Sequence, residues 1–279
     1  MPAFKTFTLT VAALLAFAAN SILCRLALKD GSMDAMSFAL IRVLSAALVL
    51  LLLLYWRGVS YSRGQRSWWG SVYLTVYLLG FSLSYVILTT ANGALLLFGS
   101  VQLTMLVVAL GRGEKLHSVQ LIGAGLALLG FVWLLWPGLD QPQPMAALQM
   151  VVAGVGWGLY TLTGQGSTDA LADTRNHFMR AVVLMGIATL VIQMPVVISS
   201  YAVFLAILSG VLASAGGYVL WYLVLTRLTT ITAAVSQLTV PLLVALLSVV
   251  IVQEPLSWRF AVAAVGILAG LGLVMLRSK

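Results

Sequence analysis

Charge is scarce in this chain. Of 279 residues, 15 are Lys or Arg and 7 are Asp or Glu. Together these make 8%, where a soluble domain carries about a quarter. So few charges cannot wet the surface of a soluble fold. The 62% hydrophobic content and a mean hydropathy of +1.08 agree. An ordinary cytosolic enzyme and a nucleic-acid-binding domain are thereby excluded. The net charge of +8 does not restore the second, because the basic residues are spread along the chain. Cysteine is nearly absent: Cys24 alone excludes an internal disulfide. With two histidines, His117 and His177, and no clustered acids, no metal site is expected, and nothing calls for a cofactor. Acids are also missing from the middle of every apolar run. Asp30, Asp34, Glu114, Asp140, Asp169, Asp173 and Glu254 all fall at run ends or in connections. A charge at the bilayer centre is costly and usually functional, so this absence argues against a buried proton carrier.

Long apolar runs take the place of charge. Residues 67–111 and 181–226 hold no Asp, Glu, Lys or Arg over 45 and 46 positions. A spanning helix needs about 20 apolar residues, so each run holds two. The breaks are expected at Thr89-Thr90-Ala91-Asn92-Gly93 and between Pro195 and Tyr201. Spans are expected at 6–25, 35–56, 70–88, 93–111, 118–136, 146–165, 175–195, 202–225, 230–252 and 258–276, ten in all. At about 20 residues each they leave roughly 7 per connection, with no room for a soluble domain. The runs are continuous rather than alternating, against a β-barrel. A cleaved signal peptide starting at Lys5 is disfavoured: the stretch exceeds a signal core and ends with Asn20, Cys24 and Arg25.

Basic residues set the orientation. With both termini inside, the inner segments hold Lys5, Arg57, Arg63, Arg66, Arg112, Lys115, Arg175, Arg227, Arg277 and Lys279. The outer ones hold Arg25, Lys29 and Arg259. Cytoplasmic loops are rich in Lys and Arg, so both termini are expected in the cytoplasm. The chain also repeats itself. EKLHSVQLIGAGLALLG (114–130) resembles EPLSWRFAVAAVGILAG (254–270), matching Glu114 with Glu254, Leu116 with Leu256 and Gly130 with Gly270. Arg42 and Arg180 correspond in the second span of each half. The expectation is an all-α polytopic membrane protein of ten helices. Two five-helix repeats, 1–140 and 141–279, form one transport unit. Five is odd, so the second repeat enters the membrane inverted, as in secondary transporters.

These features resemble the drug/metabolite transporter superfamily, in its ten-span bacterial exporter branch. The resemblance rests on Arg42 and Arg180, the spacing of Pro241 and Glu254, and the Gly-rich last span of each half. One departure is Val101, where the family often has a Pro matching Pro241. Within the superfamily the aromatic inventory and short loops look most like the bacterial aromatic amino acid exporters. The resemblance implies a multi-pass inner-membrane monomer moving a small molecule, with no nucleic-acid partner and no enzymatic activity. Small relatives couple drug efflux to protons through a Glu in the first span. Here the polar residue of that span is Asn20, which cannot titrate. Facilitated, uncoupled transport is therefore expected, the alternative being coupling through other groups in an exporter of other metabolites or drugs that could be proton-coupled.

The candidate binding residues are neutral. Asn20, Gln102 and Gln237 could hydrogen-bond a substrate head or simply join helices. Tyr77 and Tyr85, Trp157 and Tyr160, and Trp221 fall deep in their spans at helical spacing. They suit a ligand with an apolar ring, or they pack. Trp56, Trp68, Trp69, Trp136 and Trp258 lie at span ends, as belt residues do. Arg42 could snorkel outward, pair with a helix end or meet a carboxylate; it is read as snorkelling or structural, with Arg180 its mirror. Gly154, Gly156 and Gly158, and Ala263, Gly266 and Gly270, are read as close-packing faces. Drugs would want a buried acid, and sugar nucleotides would want more basic residues in the lumen. A membrane-embedded enzyme or a receptor lacks the residues or the segments it would need.

Overall fold

The computed structural model describes residues 3–56, 67–111, 118–136, 141–228, 233 and 236–275. Among these residues there are ten helices and no strand. They are α1 (Ala3–Leu28), α2 (Ala35–Trp56), α3 (Trp69–Tyr85), α4 (Thr90–Gly111) and α5 (Ser118–Leu135). Then follow α6 (Pro144–Gly164), α7 (Ala170–Ile192), α8 (Ser200–Leu225), α9 (Thr239–Val252) and α10 (Trp258–Met275). Inside α8 the stretch Ser209–Gly216 is π-helical, and α9 ends in a π-helical turn at Ser248–Val252. Each expected span holds one of these helices. Seven of the ten are long and apolar enough to cross a membrane.

Polarity is inside out. Leu48, Leu52, Ile187, Leu190, Leu212, Leu246 and Val250 face outward, while Asn20, Arg42, Asp173, His177 and Gln237 are buried. Water would not tolerate that surface, whereas acyl chains match it. Trp56, Trp68 and Trp69 lie exposed at one end of the bundle. Trp136, Tyr201 and Trp258 do so at the other, giving two aromatic belts.

Helix ends follow local chemistry. Gln143 accepts from the Ala146 N–H ahead of Pro144, Asp169 from Ala172, and Ser199 from Ala202. The Asp169 cap starts α7 five residues before the expected 175. Both α7 and α9 stop at a glutamine in the left-handed region, Gln193 and Gln253, each two residues before a proline. The break in the first long run lies at 86–89, earlier than Asn92-Gly93 suggests. Gly93 serves packing instead: a Cβ there would strike the Tyr85 ring. The glycines of α6 act likewise. At Gly154 a Cβ would lie 2.6 Å from the Leu97 carbonyl on α4, and at Gly156 2.9 Å from the Tyr73 carbonyl on α3. Gly130 and Gly270 allow the same approach between α5 and α10.

The main contacts are α5 on α10, α1 on α8, α3 on α6, α4 on α6 and α2 on α8. Smaller ones join α2 to α7, α1 to α9, α3 to α7 and α4 to α9. A polar tie fastens one end. Asp34 accepts from the Ser37 N–H at 2.8 Å and from the Val197 N–H at 3.0 Å, linking the start of α2 to the α7–α8 connection. Partial burial alone would raise the Asp34 carboxyl, but the hydrogen bonds from Ser37 and Val197 outweigh it and hold it below the usual range. A carboxyl lowered by folding stabilises above its unfolded value of about 3.9. That contribution is lost as pH falls through the folded value. Asp34→Ala should therefore cost about 1 kcal/mol at pH 7. In thermal melts across pH, its gap from the parent should close below about pH 4. A gap independent of pH would show that the carboxylate plays no part.

Candidate functional site

Helices α1, α2, α3, α6 and α8 meet at a block of aromatic rings. Trp157 of α6 is its centre. The Phe17 ring stands edge-on to it at 5.1 Å, Tyr77 lies at 5.0 Å and Tyr218 at 4.7 Å. Phe17 also meets Trp221 at 5.5 Å. The block continues through Tyr160, 5.5 Å from Trp157, to Tyr222 at 5.1 Å. Edge-on and tilted pairs of this kind place positive ring edges against negative faces. The Trp157 indole N–H donates to Gln237 Oε1 at 2.9 Å, fixing both side chains.

The π-helical stretch of α8 turns two hydroxyls inward. Ser209 donates to Asn20 Oδ1 at 2.5 Å, and Ser214 accepts from Arg42 Nε at 2.8 Å. A π-helical turn changes the angular register of the residues it holds and re-aims their side chains, as is common at functional sites. Gly210 lies between these serines. A side chain there would run into Ser45 and the Arg42 carbonyl, so only glycine lets α8 press against α2.

Arg42 is fully buried. Its Nη2 donates to the Tyr218 hydroxyl at 2.8 Å and the Tyr77 hydroxyl at 3.1 Å. Its Cζ lies 5.0 Å from the Phe81 ring centre. The snorkelling reading is thus overturned. The side chain runs inward because the tyrosine hydroxyls and the Ser214 hydroxyl await it there. Arg180 is no mirror of it: half-buried near one end, it donates to the Ser67 carbonyl and stacks on Trp68 at 5.0 Å.

Beside this cluster is a cavity of about 10 Å³, lined by Phe17, Ser21, Tyr77, Phe81, Leu97, Phe98, Trp157 and Tyr218. That is room for about one water, so the centre is closed. Of the candidate residues, Tyr77 and Trp157 line it. Tyr160, Trp221 and Gln237 lie behind Trp157 and Phe17, and Asn20 reaches Tyr77 at 3.4 Å. Gln102 is buried one turn beyond Phe98 on α4, outside the lining. Tyr85 stands off toward the α1–α2 end, edge-on to Phe81 at 4.7 Å, its hydroxyl donating to the Thr90 carbonyl.

At that end lies a vestibule of about 640 Å³. Among its lining residues are Arg25 and Glu254, the one ion pair found among the described residues, at 2.6 Å. Arg25 also donates to the Tyr85 and Val86 carbonyls, and the second Glu254 oxygen accepts the Thr90 N–H at 2.6 Å. One carboxylate and one guanidinium thus close α1, α3, α4 and the α9–α10 connection together. Glu114, which the sequence comparison of the two halves matches to Glu254, lies outside the described residues, as does His117.

The profile of the EamA-like transporter family matches residues 144–276. An uncharacterized protein of Pseudomonas aeruginosa is 43% identical over 99% of this chain and 96% of its own. The chain belongs to the EamA-like transporter family. An uncharacterized transporter of Archaeoglobus fulgidus is 26% identical over 96% of each chain. A protein of known crystal structure shares the fold with a TM-score of 0.69 at 18% identity, covering 97% of this chain and 96% of that one.

For an EamA-like transporter, the residues that sequence reasoning passed over matter most. Ser209 and Ser214 are not among the expected residues, and Arg42 and Phe81 are noted in the sequence without being placed among the candidate binding residues. The available signal was Arg42 itself, eight residues into an apolar span, where an unpaired charge is costly enough to demand a reason. Asp173, placed by sequence at a span end, is fully buried in the first turn of α7 and takes the Ser167 hydroxyl at 2.6 Å.

Proposed function

We propose that this EamA-like transporter exports aromatic and other apolar amino acids across the bacterial inner membrane by alternating access, uncoupled from protons. The observation that carries the reading is the closed aromatic centre around Trp157, polar yet without an acid, beneath a vestibule latched by Arg25 and Glu254. Rings of this kind hold an apolar side chain, and the hydroxyls, amides and Arg42 suit a polar head. A centre that exchanges access needs two gates around it, and the vestibule latch is one.

Two inverted repeats of five helices underlie the motion. Exchanging α1–α5 for α6–α10 maps the larger helix contacts onto one another: α3 on α6 becomes α8 on α1, α4 on α6 becomes α9 on α1, and α5 on α10 is unchanged. The profile match over 144–276 spans the second set. All ten helices cross the bilayer, both termini are cytoplasmic by the distribution of basic residues, and the vestibule faces the periplasm.

Purified protein in liposomes should exchange labelled phenylalanine and tryptophan against a trapped pool, in the absence of a pH gradient. No flux above empty vesicles would end the amino acid reading. A proton-coupled second reading is favoured by the burial of Asp173 beside His177, one turn on along α7. Flux that requires a pH gradient and vanishes in Asp173→Asn would replace the uncoupled reading with it.

A further inference from the structure

Arg42 carries the strongest unexplained feature of the molecule. Its guanidinium is fully buried, and its Nη1 has no hydrogen-bond partner among the described residues. Arginine does not lose its proton in proteins, so the charge persists. Among the described residues no carboxylate pairs with it. The described acids, Asp30, Asp34, Asp169, Asp173 and Glu254, sit at helix ends or in connections, and Glu254 is committed to Arg25. The groups that do face Arg42 are neutral: the Ser214, Tyr77 and Tyr218 hydroxyls and the Phe81 ring. An unpaired buried charge destabilises the empty protein, and a fold keeps one where a ligand completes it. The small central cavity is adjacent, since Tyr77, Phe81 and Tyr218 touch Arg42 and also line it, and a ligand enters there only as the surrounding rings move aside. Around that cavity stand rings and neutral polar groups, and none of its lining residues is acidic.

We propose that Arg42 is the anion-binding residue of the central site and that the ligand it takes is an aromatic monocarboxylate, the carboxylate being required and the amino group dispensable. This rests on the transport reading and narrows it. The unpartnered Nη1 offers its N–H groups to a carboxylate, and exchange of one tyrosine hydroxyl at Nη2 for the second carboxylate oxygen completes a pair of parallel hydrogen bonds. The ring of the ligand then displaces side chains of the Trp157 block. An ammonium group finds no carboxylate partner there, only ring faces and hydroxyls. Recognition is therefore of an organic acid, with amino acids as one subset.

The test is ligand binding to the purified full chain in detergent. It is read by tryptophan fluorescence, to which Trp157 and Trp221 report, and by the thermal midpoint. The probes share one ring: phenylalanine, 3-phenylpropionate, phenethylamine and phenylalaninamide. Phenylalanine and 3-phenylpropionate should bind within about tenfold of each other. The two probes without a carboxylate should bind at least a hundredfold more weakly, the scale of discrimination shown by buried polar sites. Arg42→Gln should lose carboxylate binding by a similar factor while its ligand-free midpoint stays near that of the parent. Arg42→Lys should recover part of the affinity, keeping the charge without the fork. Equal binding of amine and acid, undiminished acid binding in Arg42→Gln, or no binding of either acid would each overturn the proposal. The parent's own discrimination decides the matter even if a variant fails to fold. The transport reading is judged separately by liposome flux. Binding of 3-phenylpropionate without binding of phenylalanine would sink the amino acid reading and leave this one standing.

Discussion

Glu254→Gln should open the vestibule floor and shift the protein toward a conformation in which residues beneath it meet water. The carboxylate satisfies two donors at once, Arg25 Nε and the Thr90 N–H, both at 2.6 Å. A glutamine has one acceptor oxygen for the two. Whichever it keeps, the other is left short, at a cost of about 1–3 kcal/mol for a charge-assisted bond. Both side chains retain some exposure, 14% for Arg25 and 13% for Glu254, which places the effect toward the lower part of that range. Even 1.4 kcal/mol changes a population about tenfold. Leu88 is nearly fully buried and lines the vestibule, so Leu88→Cys in a Cys24→Ser background is a suitable reporter. Its labelling by a membrane-impermeant maleimide should quicken about tenfold when Glu254→Gln is added. An unchanged rate would mean that the pair does not latch that end. The charge swap, Arg25→Glu with Glu254→Arg, should fail to restore slow labelling. A guanidinium would then face the Thr90 N–H at the positive end of α4, where a carboxylate belongs. Full rescue by the swap would reduce the latch to a simple ion pair.

Much of the fold was legible because a bilayer imposes continuous apolar runs. Each of the ten expected spans holds a helix, with shifted ends at α7 and at the α3–α4 break and with the expected start of the ninth span outside the described residues, and the tryptophans at span ends are exposed in two belts. Errors arose where tertiary contacts reassigned a residue. Asn92-Gly93 has the chemistry of a turn, yet Gly93 sits inside α4 because the Tyr85 ring occupies the space of a Cβ. Arg42 and Arg180 hold matching positions in sequence, but only Arg42 has hydroxyls to run toward, and those come from α3 and α8. The Trp157–Gln237 and Arg25–Glu254 pairs join residues 80 and 229 positions apart, which no local pattern encodes. The aromatic candidates rest on helical spacing, which puts them on single faces. Gln102 and Tyr85 share that spacing but fall outside the cavity lining. Spacing gives the face of a helix and leaves open what that face meets.

Trp157→Ala is the substitution expected to alter the centre most. Removing a buried indole typically costs about 3–5 kcal/mol, combining lost transfer energy with the cavity left behind. The site has little means to collapse, since Phe17, Tyr77 and Tyr218 are held by rings and hydroxyls of their own. The lost N–H also strands Gln237 Oε1, whose amide nitrogen already has no partner among the described residues. The midpoint should therefore fall sharply while the bundle persists, because α6 is held mainly by its glycine contacts with α3 and α4. In liposomes the enlarged cavity should favour the larger ring, raising tryptophan flux relative to phenylalanine. Trp157→Phe separates the two contributions. It keeps a ring against Phe17 and Tyr77 but no donor for Gln237, so most of the stability should return while the Gln237 amide stays unpaired, at about 1–3 kcal/mol. If Trp157→Ala folds and carries both substrates at the parental rate and ratio, Trp157 is packing alone and the transported molecule passes elsewhere.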